Sequence, residues 1–152
     1  MTCFKSLLLP FFIFTIIAAD SEKRQFNLNG NIYQRIDTQL TWSGAVKYCQ
    51  ERGGHLVTIT SAAENDFVYK NFGTDGVNLW LGATDELTEK QWRWITGEPF
   101  NYNNWATRMP DNAGQGQNYA IFWDLDPGRW DDNGLPVCDC RYIFICEWEA
   151  VL

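Results

Sequence analysis

Apolar and polar positions alternate through Ile32-Tyr33-Gln34-Arg35-Ile36, the two-residue period of a strand with one covered face. Trp42, Ala45, Val46 and Cys49 then recur at helical spacing, and Gly53-Gly54 supplies a stop, which predicts a first helix. His55-Leu56-Val57-Thr58-Ile59 reads as a short apolar strand. Ser61-Ala62-Ala63-Glu64 has the spacing of a capping box, with Ser61 and Glu64 satisfying free amides reciprocally, and it opens a second helix predicted to run to about Phe72. Phe67 and Val68 of that helix are core contacts. Leu79-Trp80-Leu81-Gly82-Ala83 is a buried strand, in which Gly82 marks a close approach of another backbone. Trp92 and Trp94 alternate as in a short strand, and Tyr119-Ala120-Ile121-Phe122-Trp123 and Arg141–Trp148 form two closing strands.

Between Asp85 and Gly128 periodicity fades and Pro, Gly and Asn punctuate the chain. Irregular stretches of that length are uncommon unless they serve a function. Two helices early, several short strands and a long loop late predict an α+β fold rather than a parallel α/β sheet.

With 152 residues, 45% hydrophobic and 16% aromatic, the chain can bury one substantial core. The net charge of −7 offers no basic stripe, which argues against nucleic acid as a partner. Residues 1–19 have the layout of a secretory signal: Lys5, an apolar run from Leu7 to Ile17, and the small pair Ala18-Ala19 at the expected cut. The competing account is an N-terminal membrane anchor, for which the run is short. Once the signal is removed no transmembrane segment remains, and a secreted, extracellular protein is expected. Residues 20–29 form a short N-terminal segment in which Lys23-Arg24 is either a dibasic processing site or a solvated charge pair; residues 30–150 are the domain.

Of five cysteines, Cys3 leaves with the signal, and Cys49, Cys138, Cys140 and Cys146 remain. An even set in an oxidising compartment reads as disulfides. Zinc is the alternative, and the single His55 gives it little support. If Cys49 and Cys146 are bonded, the chain ends meet and the long loop so closed stabilises the fold by about 4–5 kcal/mol. No Asn-x-Ser/Thr sequon occurs.

The segment from Gly97 to Asp132 collects oxygen side chains around Pro110: Glu98, three asparagines from Asn101 to Asn104, then Asp111, Asn112, Gln117, Asn118, Asp131 and Asp132. A hard cation such as Ca2+ takes six to eight oxygens at roughly 2.3–2.6 Å, so this composition points to binding. An enzyme is the weakest reading. One histidine, no serine in a nucleophile-elbow context and an Asp131–Asp132 pair without a partner assemble no catalytic set.

Trp42-Ser43-Gly44-Ala45 with Cys49, Gly53-Gly54-His55-Leu56, Ser61–Asn65, Trp80-Leu81-Gly82-Ala83, Trp130-Asp131-Asp132 and Ile145-Cys146-Glu147 together resemble the C-type lectin-like domain from about Gly30 to Trp148. The resemblance implies a sheet-and-two-helix domain whose long loop holds Ca2+ in sugar-binding members. There a Glu-Pro-Asn or Gln-Pro-Asp triplet, a downstream Glu and a Trp-Asn-Asp triplet ligate the ion, and vicinal sugar hydroxyls complete the shell. Here the matching residues are Met109-Pro110-Asp111, Gln117 and Trp130-Asp131-Asp132. The thioether of Met109 is a poor ligand for a hard cation, Gln117 lacks the charge of Glu, and Asp131 adds a charge where Asn is usual. The implied principal metal set is Asp111, Gln117, Asp131 and Asp132, with Met109 beside it at the ligand position. Asp85, Glu89, Asn112 and Asn118 match an auxiliary metal site, the alternative being that Asp85 and Glu89 are solvated loop charges.

The implied partners are glycans or glycoproteins. Asp111 leans toward the galactose-type triplet, whereas Met109 lacks the hydrogen bonds that separate mannose-type from galactose-type sugars. Phe122 and Trp123 serve as a stacking surface or, more simply, as core; Trp105 and Trp130 are expected to anchor the loop. A calcium-independent module recognising a protein, ice or mineral surface is the second reading, motivated by Met109 and Gln117. The family pairs a cysteine at the position of Tyr119 with one like Cys138. That leaves Cys138 and Cys140 either to bond to each other across a short, reducible loop or to link two chains as a homo-oligomer.

Overall fold

The computed structural model describes residues 25–134 and 138–150, so the expected signal at 1–19 and the pair Lys23-Arg24 lie outside the described residues. Among the described residues no helix is long and apolar enough to cross a membrane. The alternating segment extends into a ten-residue strand, β2 (Asn31–Leu40). It is preceded by β1 (Gln25–Leu28), inside the stretch set apart as a short N-terminal segment. The cue was Asn29-Gly30: both residues take positive φ, at 54° and 94°, as a tight hairpin turn requires.

The first helix, α1 (Trp42–Gln50), is capped by Thr41, whose Oγ1 accepts the Gly44 N–H at 3.2 Å. Past its end Gly53 sits at φ +76°. Only His55–Leu56 of the expected strand pairs, as β3 on the last strand. Val57, Thr58 and Ile59 run on buried without joining a ladder. The second helix, α2 (Ala62–Val68), passes into a π-helical turn, Tyr69–Gly73, that carries it past Phe72. Its cap departs from the reciprocal box. Ser61 accepts the Glu64 N–H at 3.2 Å, but the Glu64 carboxylate takes the Thr60 N–H at 2.7 Å and the Tyr33 hydroxyl at 2.7 Å.

The remaining strands are β4 (Leu79–Thr84), β5 (Arg93–Trp94), β6 (Tyr119–Phe122), β7 (Trp130–Asn133) and β8 (Tyr142–Trp148). Trp92 lies just outside β5, half-buried. The sheet runs β1-β2-β8-β4-β6-β7, with β3 on β8 and β5 on β4; β4 and β8 are parallel and every other pair is antiparallel. Both faces of this sheet are covered, as the two-residue period of its central strands dictates. Leu79, Leu81 and Ala83 of β4 and Ile143 and Ile145 of β8 pack with Val68 and Phe72 on one side. Trp80, Phe144 and Cys146 pack with Trp42, Ala45 and Cys49 of α1 on the other.

Gly82 is where the second backbone comes close: a Cβ there would lie 2.6 Å from the Leu56 carbonyl oxygen and 2.9 Å from that of Val57. Cys49 and Cys146 are bonded and fully buried, tying α1 to β8 across 97 residues. Cys138 and Cys140 are bonded to each other. In the place a family cysteine would take, Tyr119 stacks on Trp42 with ring centroids 4.4 Å apart.

Candidate functional site

The long loop carries little regular structure, and aromatic rings hold it in place. Trp130, fully buried at the start of β7, meets Trp94, Tyr102 and Trp105 edge-on with centroids 5.7–5.8 Å apart. Its indole N–H donates to Asn65 Oδ1 at 2.8 Å, and Asn65 Nδ2 donates to the Gly128 carbonyl at 3.1 Å. Asn104 reaches the same carbonyl at 2.7 Å, while its own carbonyl accepts the Trp130 N–H at 3.0 Å. The expected anchoring role of Trp130 is therefore present. Asn65 and Asn104, which position it, were not singled out from sequence. The available signal was a polar residue three places before the buried Val68 on the inner face of α2.

β7 fixes Asp131 and Asp132 beside the turn that follows Pro110, where the Met109–Pro110 peptide is cis. Asp132 is 1% exposed, and its two carboxylate oxygens accept the N–H groups of Asp111 at 2.9 Å and Asn112 at 2.7 Å. Asp131 is 8% exposed and accepts the Asp132 N–H through Oδ1 at 2.9 Å. Asp111 is exposed and its Oδ1 accepts the Ala113 N–H at 3.0 Å. Asn112 Oδ1 accepts from Gly116 at 2.6 Å and Gln117 at 3.0 Å, closing the turn. Met109 is half-buried beside this group.

Asp131 and Asp132 thus sit buried on β7, with Asp111 exposed on the turn beside them. Among the described residues no Lys, Arg or His forms an ion pair with any of them. Burial, then the neighbouring Asp132, pushes the Asp131 carboxyl up to about 7, with Asp111 adding in the same direction. Burial also raises Asp132, against the pull of the amides from Asp111 and Asn112. Gln117 Oε1 is buried with no hydrogen-bond partner.

The auxiliary residues are only partly assembled. Asp85 is 3% exposed; its Oδ2 accepts the Lys90 N–H at 2.8 Å, and its buried Oδ1 has no partner. Its backbone N–H reaches the Asn118 carbonyl at 3.2 Å, so those two residues are neighbours. Glu89 is exposed. Phe122 is 1% exposed and belongs to the core, while Trp123 is half-buried against it, so Phe122 is not available for stacking a ligand.

Among the described residues no three His, Cys, Asp or Glu side chains come together as a group able to hold a metal ion. The fit to Ca2+ rests instead on mixed donors. Among the described residues Asp111 is exposed with one oxygen taken by the Ala113 N–H, Asp131 is buried with one oxygen taken by the Asp132 N–H, and Gln117 Oε1 is buried without a hydrogen-bond partner. These are hard oxygens of the kind that calcium takes, and among the described residues no cationic side chain pairs with the acids.

A second buried polar cluster, not foreseen from sequence, centres on Glu147 of β8. Glu147 Oε1 accepts from Asn31 Nδ2 at 2.9 Å and its Oε2 from the Thr58 N–H at 3.1 Å. Burial raises the Glu147 carboxyl, and His55 opposes that rise. The network ties β2 and the buried segment 57–59 to β8 and has a structural role.

The family model of the lectin C-type domain matches residues 38–148. Mouse Lithostathine-2 is 34% identical over 122 residues, covering 78% of this chain and 69% of the relative. Mouse Asialoglycoprotein receptor 1 is 34% identical over 125 residues, covering 78% of this chain and 41% of the receptor. Among solved structures, the carbohydrate-recognition domain of the mouse scavenger receptor C-type lectin superposes with a TM-score of 0.76 at 30% identity, over 84% of this chain and 97% of that one. The domain of cow CD23, crystallised in the presence of a GlcNAc2Man3 oligosaccharide, superposes at 0.75 with 26% identity, over 85% and 95%. With most of its length matched by the family model and its sheet, helices and disulfide arranged as above, this chain belongs to the C-type lectin family.

Proposed function

We propose that the protein is a secreted, non-catalytic carbohydrate-binding lectin that holds Ca2+ at the end of β7 and takes terminal sugars there through vicinal hydroxyls. The supporting observation is the buried Asp131–Asp132 pair, with Asp111 beside it and no cationic side chain in ion-pair reach among the described residues. Like charges taken out of water need a counter-ion or a proton. Asp111, Gln117, Asp131 and Asp132 would hold the ion, and the ion would supply open coordination positions for sugar oxygens. With Met109 contributing no hard oxygen, the site is a weak one, suited to the roughly 10⁻⁴–10⁻³ M affinities of extracellular calcium modules.

Chromatography on immobilised mannose and galactose tests this reading. Retention in calcium and release by chelator are expected, and passage through both resins in saturating calcium rejects it. A second reading, a calcium-independent module for a protein, ice or mineral surface, is favoured by one observation: both oxygens of Asp132 are already occupied by backbone amides. Under that reading ligand retention persists in chelator and calcium leaves the melting temperature unchanged.

A further inference from the structure

Cys138 and Cys140 stand half-buried on the strap of residues 138–141 that enters β8, whereas Cys49 and Cys146 are fully buried and 97 residues apart. A thiolate must reach a sulfur atom to exchange with it, so the two disulfides differ in access as well as in ring size. Alongside the strap runs a cavity of about 40 Å³ walled by Trp42, Trp80 and Tyr119.

A third feature distinguishes the strap. Asn133 Oδ1 lies 3.3 Å from Cys138 Sγ and 3.1 Å from Cys140 Sγ. That oxygen already accepts the Gly134 N–H at 2.8 Å; a disulfide carries no S–H and donates nothing to its remaining lone pair, whereas a thiol can donate to it. The carboxamide therefore favours the reduced pair over the oxidised one.

We propose that Cys138–Cys140 is a thiol-exchange site, opened by small thiols of the glutathione class while Cys49–Cys146 stays closed and the fold stays intact. A glutathione thiolate attacks one sulfur, the Cys138–Cys140 bond breaks, and the departing cysteine thiolate takes a proton from water. A second glutathione thiolate then attacks the mixed disulfide, releasing oxidised glutathione and leaving two cysteine thiols. Two thiols are oxidised and one protein disulfide is reduced. β6 continues to pair with β7 through Tyr119–Phe122, so the acidic residues keep their place when the strap opens.

The test equilibrates the oxidised full chain in glutathione buffers of graded reducing strength, alkylates the free thiols and reads each cysteine by peptide mass spectrometry. Cys138 and Cys140 should be half-alkylated at a reducing strength on the order of a hundredfold below that needed for Cys49 and Cys146, the ratio expected from the difference in closed loop length. Asn133→Ala should raise the reducing strength required several-fold and Asn133→Asp, which keeps an acceptor oxygen, should not. Far-UV circular dichroism of the half-reduced protein should match that of the oxidised form. Opening of both pairs together overturns the proposal, as does a Cys138–Cys140 pair that resists alkylation until the protein unfolds.

Discussion

Removing the charge of Asp131 by Asp131→Asn should abolish a pH dependence of stability that the metal-free protein owes to this one residue. The Asp131 carboxyl is carried from an ordinary 3.8 up to about 7 by burial and by Asp132. At about 1.4 kcal/mol for each tenfold change in proton affinity, that rise corresponds to about 4 kcal/mol. The sign follows from the direction. The folded state holds this proton more tightly than the unfolded chain, so the stabilisation is complete below pH 3.8 and is lost as pH rises through about 7. Asp132, also raised, contributes in the same sense. Thermal unfolding in chelator between pH 4 and 8 should therefore show the wild-type protein losing roughly 10 °C, at about 3 °C per kcal/mol for a domain of this size. The Asn variant should lose much less and overtake the wild type at pH 8. Calcium in about tenfold to hundredfold excess over its dissociation constant should restore about 1.4–2.7 kcal/mol to the wild type at pH 8. If wild-type and variant profiles overlay in chelator, Asp131 is not a buried, uncompensated acid and the reasoning fails.

Three further outcomes follow from the packing. Gly82→Ala puts a Cβ against the Leu56 and Val57 carbonyls and should cost about 1–3 kcal/mol in urea unfolding, with the midpoint moved and the slope kept. Asn65→Ala leaves the Trp130 indole N–H without its acceptor and the Gly128 carbonyl with Asn104 alone; a loss of about 1–3 kcal/mol is expected, together with a change in tryptophan fluorescence as the loop loosens. The paired change Cys49→Ser and Cys146→Ser should cost about 4–5 kcal/mol by chemical denaturation, the value for a closed loop of this length.

Where one physical cause dominated, the sequence was readable. The α1 stripe of Trp42, Ala45 and Cys49, the uninterrupted burial of Leu79–Thr84 and the close approach at Gly82 each follow from a single period or a single steric demand. Glu64 shows why the rest was harder. Its spacing from Ser61 signals a cap, but its partners, Thr60 and Tyr33, are decided by tertiary packing that brings β2 under α2. The expected strand His55–Ile59 ends after Leu56 because the chain beyond it bonds in two directions: Val57 donates to the Ile145 carbonyl, and its own carbonyl accepts from Gly82. At the candidate site, side-chain chemistry marked the oxygen-rich segment from Gly97 to Asp132, and the family resemblance singled out Asp111, Asp131 and Asp132 within it. That Asp132 and Asn112 brace the turn with their oxygens is a property of the folded backbone, and no spacing rule announces it.

Calorimetric titration of calcium into the wild-type protein and into Asp132→Ala, both in chelator-treated buffer, bears most directly on the proposed site. The account predicts an endpoint of one ion per chain with a dissociation constant of about 10⁻⁴–10⁻³ M, strengthened by a bound sugar and absent from the variant. No heat and no change in melting temperature for the wild type up to about 10 mM calcium, well above that range, would contradict it.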